Sequence, residues 1–303
     1  MKTSAKENLK LLDPEVLSRV GHLDILSRTV VDGLLSGKHR SVQRGGTFEF
    51  AEHRAYSAGD ELRLIDWRIY AKRDRYYVKQ YDEEINLQAT MVVDASGSMD
   101  FGMSTVSKLE YAKCACACLS RLMLRQRDAV GLSCFSGSGN QYIPPRSRAS
   151  HLHSILETLR TIKPRGDVSL AKTLLGLGPR LKRRGMVVVF SDCFGDLKQL
   201  IKALHLLRLR GHEVILFHVL APEELTFSFS NASRFECLET AGLRLDLEPG
   251  SVRQQYLARL NEFLTNLTAE CTRIRCEYFR LTTGQSLADT LSYYLRLRAA
   301  SMN

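Results

Sequence analysis

The 303 residues of the chain lack the features typical of membrane, repeat, secreted, disordered and fibrous proteins. It has no stretch close to the roughly 18 uninterrupted apolar residues that a membrane helix needs, and it has no internal repeat or low-complexity run. The first residues carry no apolar signal-peptide core. With 44% hydrophobic and 25% charged residues, the composition is typical of a globular protein and excludes disordered and fibrous classes. We therefore expect a cytoplasmic protein.

Signatures of catalysis and of cofactor binding are also scarce. No Walker motif is present, so we do not expect the chain to hydrolyse ATP itself. Three of the eight cysteines, Cys114, Cys116 and Cys118, fall on one predicted helix, which indicates core residues and not a metal cluster. The net charge of +10 favours an acidic partner.

The sequence changes character at about residue 84. Residues 1–84 are predicted to form an N-terminal helical segment followed by a charged, strand-containing module. The boundary between the two lies where glycines interrupt the helical pattern. Residues 85–303 alternate short apolar runs with amphipathic helices, which is typical of a parallel sheet covered on both faces. Six strands are predicted, at Leu87–Val93, Ala129–Phe135, Gln141–Ile143, Met186–Phe190, Glu213–Val219 and Cys276–Leu281.

These elements predict an α/β fold: a doubly wound, mainly parallel, six-stranded Rossmann-like sheet with an N-terminal helical and strand-containing extension. In the common strand order 3-2-1-4-5-6, the first and fourth strands are neighbours at the switch point where ligands collect. Asp94 and Asp192, which follow these two strands, would then meet. Residues 222–249 have no clear pattern, and Thr226–Phe229 there could form an edge strand or an insertion.

Oxygen-bearing side chains follow the first predicted strand. Asp94, Ser96 and Ser98 alternate along the chain, and Gly97 allows a tight turn, so their oxygens can face one point. Oxygen ligands of this kind suit a hard cation such as Mg²⁺. The alternative is a polar loop in which the serines cap the turn and Asp94 accepts backbone hydrogen bonds.

Asp94, Ser96, Ser98 and Asp192 resemble the metal-ion-dependent adhesion site of von Willebrand factor A-like domains. The resemblance implies that the two serines and a threonine from another loop touch the metal. It also implies that the two aspartates act largely through water and that a carboxylate from a protein partner completes the shell. Such a site is a binding device and not a catalyst.

The loop that should supply the threonine departs from this pattern. Val168 stands in the place of the threonine and has no oxygen to offer. Asp167 or Ser169 could substitute for it, or the metal could bind weakly or not at all. We expect the loops Met99–Ser104 and Arg165–Ser169 to frame the site, with Met99 and Arg165 among the partner contacts.

The segment before the sheet narrows the match further. Its charged and aromatic motifs are Gly37–Ser41, Phe48–Tyr56, Gly59–Arg68 and Tyr70–Arg73. They resemble the hallmark of the bacterial family called domain of unknown function fifty-eight, and the resemblance extends to about residue 196. It implies a partner of MoxR-type AAA+ ATPases, and therefore an adaptor or co-chaperone in the assembly or activation of other proteins.

Charges of both signs surround the single tryptophan of the chain. Asp60, Arg63, Asp66 and Arg68 lie within eight residues of Trp67. One interpretation is an ion-pair network that stabilises this module. The other is a recognition surface for the partner, because tryptophan and arginine are over-represented among interface hot spots.

Two further functions stay open as alternatives. Asp94 after a first strand is also typical of Mg²⁺-dependent phosphatases with an aspartyl nucleophile, but those enzymes normally carry a second aspartate where this chain has Ser96. Binding of nucleic acid is supported by the net charge alone. We predict a non-catalytic adaptor that binds a carboxylate of its protein partner through a cation.

Overall fold

The computed structural model describes most of the chain after residue 86 and shorter segments before it. The described residues are 23–36, 50–56, 65, 67, 70, 75–81, 87–103, 105–137, 139–229, 233–236, 238, 244–247 and 249–301. They belong to two compact units, one within Met1–His39 and Leu87–Asn303, the other within Arg40–Asn86.

The described elements alternate between strand and helix through most of the larger unit. In chain order, the elements are α1 (Leu23–Ser36), β1 (Phe50–Ala55), β2 (Tyr77–Tyr81), β3 (Gln88–Asp94), α2 (Lys108–Arg125), β4 (Ala129–Ser136), β5 (Gly139–Arg146), α3 (His151–Thr161), α4 (Leu170–Leu177), β6 (Met186–Ser191), α5 (Leu197–Leu209), β7 (Glu213–Leu220), α6 (Pro222–Thr226), β8 (Ser233–Glu236), β9 (Arg244–Leu247), α7 (Pro249–Arg273), β10 (Glu277–Thr282) and α8 (Leu287–Ser301).

Six strands of the larger unit form one sheet in the order β10-β7-β6-β3-β4-β5. All neighbours are parallel except β4 and β5, which are antiparallel. Numbered along the chain, this is the order 3-2-1-4-5-6, so the predicted doubly wound, mainly parallel sheet is confirmed. Five of the six predicted strands agree with the observed bounds to within one residue at each end, and the third is longer than predicted.

Helices cover both faces of the sheet. Alternate residues of the central strands point to opposite sides, and apolar residues on each side pack against helices. Met91 and Val93 belong to a core shared with α1, α2, α3 and α8. Val92 belongs to a second core shared with α4, α5 and α7. The central strands are therefore mainly apolar on both faces.

Helix α1 belongs to the sheet unit, which differs from its predicted place in an N-terminal domain over 1–84. The reason is that Val30 and Val31 are fully buried in the core that α2 shares. Arg125 of α2 also pairs with Asp32 at 2.5 Å. Hydrophobic burial thus attaches this helix to a partner that follows it by some 80 positions in the chain.

The described residues between 222 and 249 add no strand to the main sheet. Helix α6 covers the first of these residues, and β8 pairs with β9 in a separate antiparallel sheet. None of the described helices is long and apolar enough to cross a membrane.

The smaller unit contains the antiparallel pair β1 and β2, with an irregular register near Phe50. Aromatic side chains lie beside this pair: Tyr70 stacks on Tyr76 with ring centroids 4.5 Å apart, and Trp67 contacts Tyr70 edge to face. Trp67 remains 60% exposed.

Candidate functional site

The polar cluster at the carboxyl edge of the sheet begins with Asp94, the last residue of β3. β3 and β6 are parallel and Val93 lies opposite Phe190, so the next residues of the two strands, Asp94 and Ser191, come side by side. The Ser191 hydroxyl donates to Asp94 Oδ2 at 2.6 Å. Asp94 is 2% exposed. The sheet register therefore buries one carboxylate at the switch point, as the sequence predicts.

The turn after Asp94 brings the two serines together. The backbone N–H of Ser96 donates to Asp94 Oδ1 at 2.9 Å, and the hydroxyl oxygens of Ser96 and Ser98 lie 3.2 Å apart. The backbone bond to Asp94 is the one that the polar-loop alternative predicts. The convergence of the two hydroxyls is the one that the ligand-site prediction requires.

Asp192 lies in the same cluster and is bound to a lysine. Lys108, the first residue of α2, places Nζ 2.8 Å from Asp192 Oδ2 and 2.7 Å from Glu224 Oε1. The other oxygen of Asp192 accepts from the Phe194 N–H at 3.2 Å, and Glu224 Oε2 accepts from the Ala221 N–H at 2.7 Å. Lys108 is 1% exposed. A buried ammonium group thus bridges two carboxylates from different strand ends.

The charges of this cluster are distributed unevenly. Burial raises the pKa of Asp94 to about 7, with a further contribution from the Asp192 carboxylate, and hydrogen bonds from Ser191 and Ser96 oppose this only in part. Burial also raises the pKa of Asp192, but Lys108 outweighs it and leaves this pKa below its usual value. Asp192 and Lys108 therefore form the ion pair, and Asp94 is the group that resists ionisation.

A neutral histidine fixes the backbone beneath the ion pair. His218 Nε2 lies 2.9 Å from the carbonyl oxygen of Asp192, so this nitrogen donates. Nδ1 then accepts from the Tyr278 hydroxyl at 2.9 Å. Burial lowers the pKa of His218 to about 4, which keeps the ring uncharged. His218 therefore has a core role.

The loop Pro164–Ser169 packs on the serine turn through its backbone. Gly97 N donates to the Gly166 carbonyl at 2.8 Å, and Arg165 N donates to the Ala95 carbonyl at 3.0 Å. A Cβ at Gly137 would lie 2.8 Å from the Arg165 carbonyl oxygen, so this close approach requires glycine.

The side chains of this loop form no hydrogen bond with the two aspartates among the described residues. Arg165 and Asp167 are exposed, and the Ser169 hydroxyl accepts from Lys172 N at 3.4 Å as the cap of α4. Val168 packs against the core on the α4 side of the sheet. Among the described residues, no hydrogen bond joins Asp167 or Ser169 to Asp94 or Asp192, and their role as metal ligands stays a prediction.

Met99, predicted to contact a partner, is fully buried in the core. The predicted partner contact is wrong, because a side chain without exposed surface cannot reach another protein. Two other apolar side chains near the cluster are exposed instead: Met103 at 66% and Phe194 at 75%. Cys193 has a φ of 56°, and this left-handed residue lies between buried Asp192 and exposed Phe194.

Four charged residues around Trp67 are predicted to form an ion-pair network or a recognition surface. Asp60, Arg63, Asp66 and Arg68 lie outside the described residues. Trp67 itself is largely exposed, as the recognition interpretation requires. Its role in partner binding stays a prediction.

Sequence reasoning missed Lys108 and Glu224. One signal for Lys108 is its position, because a cation in the first helical turn opposes the helix dipole and needs a compensating anion. Glu224 has the spacing of a capping partner three residues after Ala221. Neither signal reveals that the two side chains meet, since 116 positions separate them.

The residues present do not fit the Mg²⁺ that the resemblance implies. Divalent cations of this kind bind oxygen ligands, but an ammonium group already occupies Asp192 Oδ2, and Val168 offers no oxygen in place of the threonine. Both oxygens of Asp94 accept hydrogen bonds from protein donors. No group of three or more metal-binding His, Cys, Asp or Glu side chains occurs in the described part of the chain.

A groove of about 870 Å³ opens beside the ion pair. Asp192, His218 and Glu224 line it, and aromatic and aliphatic side chains form most of its walls. These wall residues are Phe194, Leu220, Phe227, Val252, Tyr256, Leu260 and Phe263. Arg259 also lines the groove, is exposed, and forms no ion pair with any described residue. This surface can therefore take an apolar side chain together with a carboxylate.

The raised pKa of Asp94 predicts a pH-dependent effect of Asp94→Asn. The folded-state pKa of about 7 lies above the ordinary value of 3.8, so stability contributed by the protonated group is present below that ordinary value and lost as the pH rises through the folded value. The uncharged variant avoids this loss. We expect its unfolding temperature, relative to wild type, to increase by several degrees between about pH 5 and about pH 8.

Thermal unfolding of both proteins in a chelating buffer measures this difference. Asp100→Asn is the matched control, because Asp100 is exposed in the same turn. If the difference in unfolding temperature between Asp94→Asn and wild type were the same at the two pH values, Asp94 would not be a buried carboxyl group with a raised pKa.

Two solved structures give a general likeness. BatB from Bacteroides thetaiotaomicron is 19% identical with a TM-score of 0.42, over 71% of this chain and 99% of that chain. The SpRpn10 VWA domain is 14% identical with a TM-score of 0.39, over 68% of this chain and 94% of that chain.

The sequence itself gives a more specific relationship. Uncharacterized protein Rv1480 of Mycobacterium tuberculosis (strain H37Rv) is 30% identical over 218 residues, which are 70% of this chain and 68% of that protein. A protein of Mycobacterium bovis, Mb1516, matches equally well. Residues 52–262 match the family described as "Protein of unknown function DUF58". That match covers more than half of the sequence, and the chain belongs to this family.

Proposed function

We propose that this protein is a non-catalytic adaptor that binds a protein partner at the carboxyl edge of its sheet. The observation that carries the proposal is the exposed ring of Phe194, at 75% exposure, on the lip of an apolar groove. Large exposed aromatic side chains beside a groove are typical of binding sites. Asp192 holds the backbone that carries this ring through the Phe194 N–H.

The groove defines the chemistry of the partner. Its aromatic walls would bury an apolar side chain of the partner. The guanidinium of Arg259, which has no ion pair among the described residues, would pair with a partner carboxylate. The sequence predicts a partner that offers a carboxylate, and Arg259 is an exposed cation that could receive it. The net charge of +10 would favour approach of an acidic surface.

The partner we propose is a MoxR-type AAA+ ATPase or a protein on which such an ATPase acts. The motifs between Gly37 and Arg73 support this, since they resemble the family in which such partners are found. The sequence contains no Walker motif, so the ATPase activity would come from the partner.

Replacing Phe194 should weaken the complex with a purified MoxR-type AAA+ ATPase from the same organism. Phe194→Ser removes an exposed ring without disturbing the core, and loss of an interface hot spot costs about 10-fold or more in affinity. The dissociation constant, measured by surface immobilisation or fluorescence anisotropy, should increase by at least that factor.

Leu209→Ser is the matched control for this experiment. Leu209 is 69% exposed and ends α5, so it lies at the opposite edge of the sheet from Phe194. We expect its affinity to equal that of wild type. Equal affinity of the Phe194→Ser protein, or no binding by wild type, would rule out the groove as the docking surface for this ATPase.

The phosphatase alternative can be tested with the same protein. Asp94 is a poor nucleophile because it is buried and both of its oxygens accept hydrogen bonds. We expect no turnover of a generic phosphate ester with or without Mg²⁺. Turnover that disappears in the Asp94→Asn variant would favour the enzyme over the adaptor.

A further inference from the structure

We propose that the ammonium group of Lys108 takes the place of the divalent cation at this site, so that the protein does not require a metal there. The proposal concerns the isolated protein and does not depend on which partner binds. It is carried by the contacts of Lys108 and by the donors that already occupy the two aspartates.

Lys108 connects the ends of three segments, as a shared metal ion would. It starts α2, its Nζ reaches Asp192 after β6 at 2.8 Å, and it reaches Glu224 after β7 at 2.7 Å. Glu224 is held in turn by the Ala221 N–H at 2.7 Å. One charged group thus neutralises carboxylates from two neighbouring strands of the sheet.

The lysine is also fixed in this position. Its side chain is 2% exposed, its backbone N–H donates to the Phe101 carbonyl at 3.0 Å, and Nζ lies 5.8 Å from the centroid of the Phe101 ring. A buried ammonium group that left both carboxylates would lose two charge-assisted hydrogen bonds. Withdrawal of Lys108 to make room for a metal is therefore unfavourable.

A divalent cation would have to compete with protein donors for the aspartates. Asp94 accepts from Ser96 N and from the Ser191 hydroxyl, and Asp192 accepts from Phe194 N and from Lys108. A second cation close to the buried ammonium group would also be repelled, because charges interact strongly in a low dielectric.

The replacement changes which groups can meet a partner. An open metal coordination position could bind a partner carboxylate directly, whereas the buried ammonium group of Lys108 is shielded from solvent. Contact with the partner is then left to exposed groups on the groove, among them Phe194 and Arg259. The contact at the groove would then need no divalent cation on this protein.

The first test titrates Mg²⁺ and then Mn²⁺ into the metal-free wild-type protein. Isothermal titration calorimetry should give no binding heat at millimolar concentrations, and the unfolding temperature should be the same in chelator and in excess metal. A metal bound only to the folded state raises that temperature once its concentration exceeds the dissociation constant. Saturable binding that Asp94→Ala abolishes would overturn the proposal.

The second test removes the lysine charge with Lys108→Met. We expect a lower unfolding temperature in chelator, and partial recovery in millimolar Mg²⁺, because Asp192 and Glu224 are left without their cation. Lys113→Met is the matched control: Lys113 lies on the same helix, is buried and pairs with Glu110 at 2.7 Å. Its unfolding temperature should not respond to Mg²⁺.

Two outcomes would show that a residue other than Lys108 determines whether the metal binds. A folded Lys108→Met protein that ignores Mg²⁺ would show that the lysine does not keep the metal out. Val168→Thr restores the missing hydroxyl and keeps Lys108, and we expect it to ignore Mg²⁺ as wild type does. Metal binding by that variant would overturn the proposal, even if Lys108→Met fails to fold.

Discussion

The carboxyl edge of this sheet depends on one buried ion pair, Lys108 with Asp192, which Glu224 extends to the next strand end. Desolvation makes such a pair expensive to form, but removing one partner leaves an uncompensated charge and typically costs about 3–5 kcal/mol. The start of α2, the loop after β6 and the turn after β7 are therefore held by a common contact. The position of each loop depends on the other two.

The carboxylate of Asp192 connects the interior of the site to its surface. Asp192 binds Lys108 through one oxygen and the Phe194 N–H through the other. The left-handed conformation of Cys193 lies between these contacts, and Ser191 supports it by accepting from the Cys193 N–H at 3.0 Å. The backbone that carries the exposed ring is thus anchored to the buried ion pair. An anchored backbone of this kind lowers the conformational entropy lost on binding.

Much of the fold follows from local pattern. Apolar runs bounded by polar residues predict the six strands because strands buried on both faces need apolar residues at every position. Asp94 and Asp192 could be brought together from sequence because both follow strands that the doubly wound order makes neighbours. Helix α1 could not be placed in the same way, since its apolar stripe predicts burial but not the surface that buries it.

The sequence by itself determined the sheet, its strand order and the meeting of two acidic residues with two serine hydroxyls, because these depend on periodicity and on a general rule of topology. Only the tertiary structure decided what neutralises those acids. Lys108 and Glu224 meet across more than a hundred residues, and Met99 turns inward while Phe194 turns outward. These outcomes depend on side-chain direction and on packing between distant segments, which no local pattern encodes.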